Sequence, residues 1–250
     1  MSASKVALVT GSGKRRVGWH VADSLAQRGY AIAVHFHSSK AEADETVRHL
    51  RKCGVAADAF QADLADENAT KSMVHQVLAR FGNVSVLANC AATWSPKPLE
   101  DVTAADVRHY FDVNALGTFL CCQHVGLAMT RQAEGGSIIN IGDWAIARPY
   151  LNYAAYFPSK GAIPAMTRSL AVELGTRNPK VRVNCVLPGP VMLPPDMPDA
   201  ERQQVIQSTL VKHEGRPENV AQAVLHFVEN DFVTGVCLPV DGGRTIFAGD

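Results

Sequence analysis

Three residues in the segment NIGDWAIARPYLNYAAYFPSK (140–160) have side chains suited to proton transfer: Asp143, Tyr156 and Lys160. The phenol and the ammonium are four residues apart, so a helix places both on one face. A neighbouring ammonium stabilises the phenolate and lowers the pKa of the tyrosine from about 10 towards neutrality. Such a tyrosine donates or accepts a proton near working pH. The apolar run SIINI before Asp143 predicts a strand that delivers a carboxylate to the same site.

The segment TGSGKRRVG (10–18) has the composition of a phosphate-binding turn. It follows the first predicted strand and leads into the first predicted helix, where backbone N–H groups and the helix dipole face a pyrophosphate. The glycines depart from the GxGxxG spacing, and Lys14, Arg15 and Arg16 fill the loop. The position between strand and helix therefore predicts a dinucleotide site more strongly than the spacing does. The alternative is a glycine turn with solvated basic side chains.

The end of the second predicted strand, HFHSSK (35–40), indicates which dinucleotide is bound. An NAD site places an acid near this point to hold the ribose hydroxyls, whereas the 2′-phosphate of NADP needs donors and positive charge. The first acid here is Glu42. We therefore expect NADPH, with its phosphate held by this segment and by Arg15 or Arg16 of the first loop. The alternative is a polar strand end without a ligand.

Short apolar runs alternate with helical patterns along the chain. The runs are apolar at nearly every position, as in parallel strands covered by helices on both faces. The sequence therefore predicts one α/β domain over residues 1–250, a Rossmann-type doubly wound parallel sheet. Strands are predicted at 6–10, 31–36, 55–61, 84–89, 137–142, 181–187 and 236–240, and helices near 17–29, 40–53, 67–81, 104–132 and 152–176. Asp63 and Asn89 lie at the ends of the third and fourth strands, at the edge where such sheets bind ligands.

Composition excludes several classes of partner. The chain has 250 residues, of which 24 are basic and 24 acidic, so no net charge attracts nucleic acid or an anionic membrane. No apolar segment reaches the roughly 18 residues of a membrane span, and the N-terminus lacks the pattern of a signal peptide. The six cysteines show no CxxC or Cys/His ligand spacing. We expect free thiols, no metal and a cytoplasmic location.

Together these motifs resemble those of the short-chain dehydrogenase/reductase family over essentially the whole chain. The matching segments are the TG-rich loop (10–18), ADL (62–64), NCAA (89–92) in place of the usual NNAG, Asn114 in DVNALGTF, YFPSK (156–160), RVNCVLPG (182–189) and VDGG (240–243). The resemblance implies that Tyr156 transfers a proton, that Lys160 binds the nicotinamide ribose and that Asn114 supports a water relay. The expected cofactor contacts are Gly11, Arg15, Arg16, Val17, His35, His37, Ser38, Ser39, Asp63, Leu64, Asn89, Tyr156, Lys160, Pro188 and Gly189.

Within that family the chain is most similar to the pteridine reductases. Arg16 stands at the place of a loop glycine, although this loop is one residue longer, and Asp143 replaces the usual serine thirteen residues before the tyrosine. Trp94 takes the place of an aromatic side chain that stacks a flat pterin against the nicotinamide. An ionised carboxylate cannot donate a hydrogen bond to a ketone, so Asp143 is better suited to a proton relay towards a ring nitrogen. Ser38 and Ala92 depart from the subgroup, which often has arginine and serine there.

The resemblance implies NADPH-dependent reduction of a C=N bond in a pterin-like or other small planar heterocycle, with Trp94, Asp143 and Tyr156 against the substrate. One alternative is a carbonyl or quinone reductase in which Asp143 is a tolerated variant. Another is a catalytically silent NADP-binding protein, which the intact tyrosine and lysine disfavour. The resemblance also implies a homotetramer packed through the predicted helices near 104–132 and 152–176.

Prolines raise two structural questions. The Pro-rich stretch after the sixth strand predicts a mobile flap over the substrate, residues 188–212. Pro158 and Pro164 fall in the helix of the candidate tyrosine, where proline removes a backbone hydrogen bond and clashes with the preceding turn. That helix therefore either begins close to Tyr156 or is kinked.

Overall fold

The computed structural model describes residues 5–247. The strands among these residues form one seven-stranded sheet. The strands are β1 (Val6–Thr10), β2 (Ala31–Phe36), β3 (Ala57–Gln61), β4 (Val86–Asn89), β5 (Gly136–Ile141), β6 (Val181–Pro188) and β7 (Cys237–Val240). They lie in the order β3-β2-β1-β4-β5-β6-β7, and each neighbouring pair is parallel. The predicted doubly wound parallel sheet is confirmed.

Helices cover both faces of this sheet. They are α1 (Val17–Ala26), α2 (Lys40–Lys52), α3 (Glu67–Phe81), α4 (Ala104–Tyr110), α5 (Gly117–Met129), α6 (Tyr156–Arg177), α7 (Asp199–Gln207) and α8 (Pro217–Glu229). Side chains of α1, α2 and α8 form one buried cluster with the sheet, and those of α3, α5 and α6 form the other. Among the described residues no helix is long and apolar enough to cross a membrane.

The strand β1 shows why the runs are apolar throughout. All five of its residues are buried. Successive side chains of a strand point to opposite faces, so Val9 packs in the cluster of α1, α2 and α8, whereas Leu8 packs in the cluster of α3, α5 and α6. A strand with a helical layer on each side has no solvent-facing position for a polar residue.

The structure differs from the predicted helices in two places. The single helix expected over 104–132 is α4 and α5 joined by a π-helical segment, Phe111–Leu116. Such segments are often found at functional sites, and this one contains the candidate residue Asn114. The helix α8 was not among the predicted helices.

The question about the prolines is answered by the start of α6. The helix begins at Tyr156, so Pro158 lies in its first turn, where a backbone N–H has no helical partner in any case. Pro164 lies inside the helix and is buried. The tyrosine and the lysine therefore lie on the first turns of a continuous helix.

The strand order creates a crevice at the carboxyl edge of the sheet. The chain runs from β1 outward to β3 and then returns to the other side of β1 with β4, and ligands bind at such a reversal. The two loops that border the crevice are joined through Thr10, whose hydroxyl oxygen accepts hydrogen bonds from the backbone N–H groups of Cys90 and Ala91 at 3.0 and 3.1 Å.

The predicted flap, residues 188–212, leaves the end of β6 beside this crevice. Its helix α7 has no buried residue, so little apolar packing holds it. Polar contacts position the segment instead, because Arg202 bonds to Glu214 at 2.7 Å and to the carbonyl of Pro194 at 3.0 Å. The mobility of the flap stays a prediction.

Candidate active site

Asp143 is positioned by the end of β5. The strand stops at Ile141, and Gly142 follows in a place where a Cβ atom would lie 2.5 Å from the Leu187 side chain. One carboxylate oxygen of Asp143 then accepts the backbone N–H of Ala145 at 2.8 Å, which starts a short turn. The other carboxylate oxygen, Oδ2, remains free to contact the candidate Tyr156.

Tyr156 meets that second oxygen. Its hydroxyl donates a hydrogen bond to Oδ2 of Asp143 at 2.8 Å, and the tyrosine side chain is buried. The structure therefore brings together the two residues that the sequence predicted to share a proton path. They come from different elements, the carboxylate from the loop after β5 and the phenol from the first residue of α6.

The pKa of this tyrosine differs from the sequence-based expectation. We expected the Lys160 ammonium to lower it, but burial raises the pKa of Tyr156 strongly, and the Asp143 carboxylate raises it further. Burial also raises the pKa of Asp143, against the opposing effects of its hydrogen bonds and of the nearby cations. Burial therefore shifts both groups towards their protonated forms, and the expectation of a lowered tyrosine pKa was wrong.

Lys160 lies one turn along α6 and is almost completely buried. Its ammonium donates to the backbone carbonyl of Ile141 at 2.8 Å, which anchors it beneath the end of β5. Burial lowers the pKa of Lys160, and the negative charge of Asp143 opposes that effect. An ammonium has three donors, so two remain for a ligand.

Asn114 holds the framework of the site together. Its side-chain oxygen accepts the backbone N–H of Thr93 at 2.9 Å, and its amide donates to the Thr93 carbonyl at 3.0 Å and to the Ser159 hydroxyl at 3.1 Å. These bonds join the loop after β4 to the helix of Tyr156. The side chain acts as a positioning residue, and the water relay expected from the resemblance stays a prediction.

Aromatic side chains surround the proton path. The candidate Trp94 is 45% exposed, and its ring lies 6.1 Å from that of Tyr153 at 32°. Tyr153 in turn lies 6.1 Å from Tyr156, and Tyr150 stacks on Trp144 at 6.5 Å. Tyr150 and Tyr153 were not among the predicted site residues. Their spacing before the candidate Tyr156, in PYLNYAAY, is the sequence signal that could have identified them.

Arg244 is a further residue that the sequence analysis missed. Its guanidinium lies 4.4 Å from the centre of the Trp144 ring, and its charge lowers the pKa of Asp143, against the effect of burial. Arg148, whose guanidinium donates to the Arg244 carbonyl at 2.9 Å, fixes this segment. No local pattern predicts the contact, because Arg244 follows the last strand and lies about a hundred residues from Asp143 in the chain.

The glycine-rich loop has the shape expected of a phosphate turn. Gly11 has a positive φ of 64°, and a Cβ atom there would lie 2.8 Å from the Ala91 backbone. Gly18, in the first turn of α1, approaches the Gly11 carbonyl so closely that a Cβ atom would lie 2.8 Å from its oxygen. The helix begins at Val17 after Arg16, whose side chain makes no capping bond. The N–H of Trp19 already bonds to the Arg16 carbonyl at 2.9 Å, so within residues 5–247 the N–H groups of Val17 and Gly18 remain for an anion.

His35 does not lie where the sequence analysis expected it. The imidazole is buried, with Nδ1 accepting the backbone N–H of Gly11 at 3.0 Å and Nε2 bonded to the carbonyl of Ala62 at 3.1 Å. The ring must therefore carry its single proton on Nε2. Burial lowers the pKa of His35 to about 4. This histidine holds the glycine-rich loop through its hydrogen bond to Gly11. Because both ring nitrogens are bonded within the protein, neither is left for a 2′-phosphate.

The other residues of the predicted phosphate segment do lie at the surface. His37 and Ser38 are exposed, and Ser39 is half-exposed and makes no capping bond to α2. The expected carboxylate Asp63 is exposed and lies 4.0 Å from the His37 ring. Arg15 is also exposed, with its guanidinium 4.7 Å from the centre of the Trp19 ring. Exposed donors and cations therefore lie at the end of β2 and in the first loop, and the carboxylate of Asp63 lies beside His37.

The remaining expected cofactor contacts line the crevice edge. Leu64 is buried beneath Gly117, and Gly189 approaches Asp241 so closely that a Cβ atom would lie 2.5 Å from its Cα. Pro188 ends β6. Asn89 is buried and donates to Asn140 at 2.9 Å, but within residues 5–247 its side-chain oxygen has no hydrogen-bond partner.

Comparison with known proteins identifies the family. A family model described as enoyl-(acyl carrier protein) reductase matches residues 12–245. The chain belongs to the short-chain dehydrogenase/reductase family. The 3-oxoacyl-(acyl-carrier-protein) reductase FabG of Staphylococcus aureus is 33% identical over 251 residues, which cover 97% of this chain and 99% of the relative.

Two solved structures of similar proteins share the fold. The acetoin dehydrogenase from Enterobacter cloacae is 31% identical, with a TM-score of 0.88 over 99% of this chain and 98% of the other. An NAD+-bound xylitol dehydrogenase is 29% identical, with a TM-score of 0.89 over 97% of this chain and 100% of the other. This short-chain dehydrogenase/reductase chain is therefore an oxidoreductase.

The residues of this short-chain oxidoreductase fit a nicotinamide dinucleotide. The close backbone approaches of the glycine loop leave space in front of α1. The side-chain oxygen of Asn89, which has no hydrogen-bond partner within residues 5–247, lies at the end of β4 beside the crevice. The N–H groups at the start of α1 would hold the pyrophosphate, and the free donors of Lys160 would hold ribose hydroxyls. The bound nicotinamide supplies or accepts a hydride.

Proposed function

We propose that this oxidoreductase uses NADPH to reduce the carbonyl group of a small ketone or aldehyde. The observation that carries the proposal is the buried Tyr156 hydroxyl, 2.8 Å from Asp143 and one turn from Lys160. Support also comes from the relatives, because the names of the 3-oxoacyl reductase, the acetoin dehydrogenase and the xylitol dehydrogenase concern carbonyl or alcohol carbons.

Tyr156 is the proton donor in this proposal. As a hydride reaches the carbonyl carbon, the carbonyl oxygen gains negative charge and takes the phenolic proton, which completes the alcohol. The ammonium of Lys160 stabilises the phenolate left behind, although burial works against that charge. Because a raised pKa makes the phenol a weaker acid, the proposed proton transfer requires the positive charge of Lys160 to offset the effect of burial on Tyr156.

Asp143 takes the place of the serine common in the family. Its burial explains how a carboxyl group can donate the hydrogen bond that the serine would donate. An ionised carboxylate cannot donate to a carbonyl oxygen, but burial raises the pKa of Asp143 and so favours the form that can. The protonated acid donates a hydrogen bond to the substrate oxygen beside Tyr156. Reduction should therefore be fastest at the pH values where Asp143 retains its proton.

NADPH is the proposed cofactor because of the charges at the end of β2. His37, Ser38 and Lys40 are exposed there, and no acid precedes Glu42 in this segment. Arg15 and Arg16 of the phosphate loop are exposed as well. Donors and cations favour a 2′-phosphate, whereas NAD sites favour an acid at this position. Substituting Ser38 by aspartate should shift the preference towards NADH.

A pterin-like heterocycle is the second candidate substrate. Two observations favour it: the carboxylate of Asp143 at the serine position, and the indole of Trp94, which is partly exposed near Tyr153. An exposed indole stacks on flat heterocycles, and a Tyr156–Asp143 pair relays a proton to a ring nitrogen. This candidate does not require Asp143 to donate to a carbonyl oxygen.

A substrate panel separates these candidates. We would measure NADPH and NADH oxidation with diacetyl, a 3-oxoacyl thioester, menadione, dihydrobiopterin and dihydrofolate, for the wild-type protein and for Trp94→Ala. The proposal predicts turnover of a ketone that Trp94→Ala largely retains. Turnover confined to pterins and lost in Trp94→Ala would favour the second candidate. Cofactor binding by fluorescence without turnover of any compound would contradict both.

A further inference from the structure

The outer surface of α1 and α2 carries a side-chain cluster that lies apart from the active site. Asp23 lies in α1, His49 lies in the last turn of α2, and Cys53 caps the end of α2. The His49 Nε2 atom is 2.6 Å from Oδ1 of Asp23 and 3.9 Å from Sγ of Cys53. All three potential ligand atoms lie within 4.8 Å of one another.

One of these separations is close to that of ligands around one small metal ion, and the other is shorter. Zinc binds histidine nitrogen, carboxylate oxygen and thiolate sulfur at about 2.0 to 2.3 Å, so tetrahedral ligand atoms lie roughly 3.3 to 3.8 Å apart. The His49–Asp23 distance is shorter than that, and the His49–Cys53 distance is close to it. His49 and Cys53 are four residues apart on one helix, so they share a face. Cys53 is exposed and the His49 side chain is 43% exposed, so side-chain rotation can widen the His49–Asp23 distance to that of a metal site.

Neighbouring side chains already orient two of the three groups. The amide of Gln27 donates to Oδ2 of Asp23 at 2.8 Å, which directs the other oxygen towards His49. The indole of Trp19 lies against the His49 ring, with centres 4.9 Å apart and planes at 37°. Contacts of this kind hold metal ligands in their binding orientation.

We propose that Asp23, His49 and Cys53 bind one divalent ion of the zinc type, with water completing the tetrahedron. Nitrogen, sulfur and a single carboxylate favour zinc, cobalt or nickel over magnesium or calcium, which prefer oxygen ligands. The ion ties α1 to α2 and releases the Cys53 proton on binding. The proposal departs from our expectation of no metal. The spacing of His49 and Cys53 in HLRKC (49–53) was overlooked as a ligand spacing in the sequence, and Asp23 comes from another helix.

Direct metal binding tests the proposal without reference to turnover. The metal-free protein, kept reduced with a phosphine, would be titrated with Zn²⁺ by calorimetry and with Co²⁺ by absorbance and tryptophan emission. We expect one ion per chain, a cobalt–thiolate charge-transfer band, and partial loss of emission because Trp19 contacts the site. Zn²⁺ should also raise the melting temperature.

Variants identify the ligands. Cys53→Ser should abolish the cobalt–thiolate band, and His49→Gln and Asp23→Asn should each weaken Zn²⁺ affinity at least tenfold. His109→Gln, which removes an exposed histidine from α4, should bind zinc as the wild type does. Melting of each variant in chelator checks that it is folded. An absence of Zn²⁺ binding at micromolar concentrations, or equal affinity in wild type and His49→Gln, would overturn the site and leave only the Asp23–His49 hydrogen bond.

Discussion

At the level of single residues, the chemistry of the site depends on the protonation states of Tyr156 and Asp143. The Tyr156 hydroxyl donates to Asp143, and burial favours protonation of both groups. Asp143, Tyr156 and Lys160 were predictable from sequence because each lies at a fixed distance from a strand end or a helix start. The direction of the tyrosine pKa was not predictable, since it depends on burial and on the carboxylate contact more than on helical spacing.

Replacing Tyr156 by phenylalanine removes only the proton donor. The ring still packs against Tyr110, whose centre lies 5.9 Å away. We expect kcat to fall by about 10²- to 10⁴-fold, the usual contribution of general acid catalysis, while cofactor binding by fluorescence is retained. Tyr153→Phe, which removes a hydroxyl from the neighbouring half-buried tyrosine, is the matched control and should keep most activity. Similar rates in the two variants would exclude Tyr156 as the donor.

At the level of elements, close backbone approaches shape the phosphate loop. In Gly18→Ala the new Cβ atom would lie 2.8 Å from the Gly11 carbonyl oxygen, so the free energy of unfolding should fall by about 1–3 kcal/mol and cofactor should bind more weakly. The control is Gly161→Ala in α6, which meets no atom within 4 Å and should stabilise the helix by up to about 1 kcal/mol. Denaturant unfolding of both variants measures the difference. Equal effects would contradict the packing argument.

His35, which bonds to the same loop, should make the free energy of unfolding depend on pH. Its pKa is lowered from 6.5 to about 4, so between these values the unfolded chain binds a proton that the folded chain does not. The free energy of unfolding should therefore decrease by about 3 kcal/mol as the pH falls through this window. His35→Gln should remove that part of the acid dependence, whereas the exposed-site control His213→Gln should keep it. Parallel pH profiles for His35→Gln and the wild type would refute this role.

Sequence patterns predicted the elements better than their junctions. Apolar runs identified every strand, because a strand covered on both faces admits few polar residues. The π-helical segment around Asn114 was not predictable, since its residues have the same periodicity as the helices on either side. The buried orientation of His35 was missed as well, because HFHSSK looks the same whether the first histidine faces solvent or the loop above it.

At the level of the whole molecule, we propose that apolar side chains on α5 and α6 mark an interface between copies of the chain. Phe119 and Leu127 on α5 and Val172 on α6 are 37%, 36% and 68% exposed. By family resemblance we predict a tetramer, with a native mass about four times 26.9 kDa. Phe119→Glu with Val172→Glu should reduce the mass measured by sedimentation, and Gln76→Glu on α3 should not. A wild-type monomer would contradict the prediction.

The pH dependence of ketone reduction tests the central claim most directly. With the best ketone of the panel, we would measure kcat with NADPH across pH for the wild type and for Asp143→Ser. If protonated Asp143 donates to the substrate oxygen, the wild-type rate should fall as the pH rises through the raised pKa of that carboxyl. The serine variant should stay active and lose this dependence. A wild-type rate that is flat or rises with pH, or a serine variant that keeps the same profile, would contradict the account.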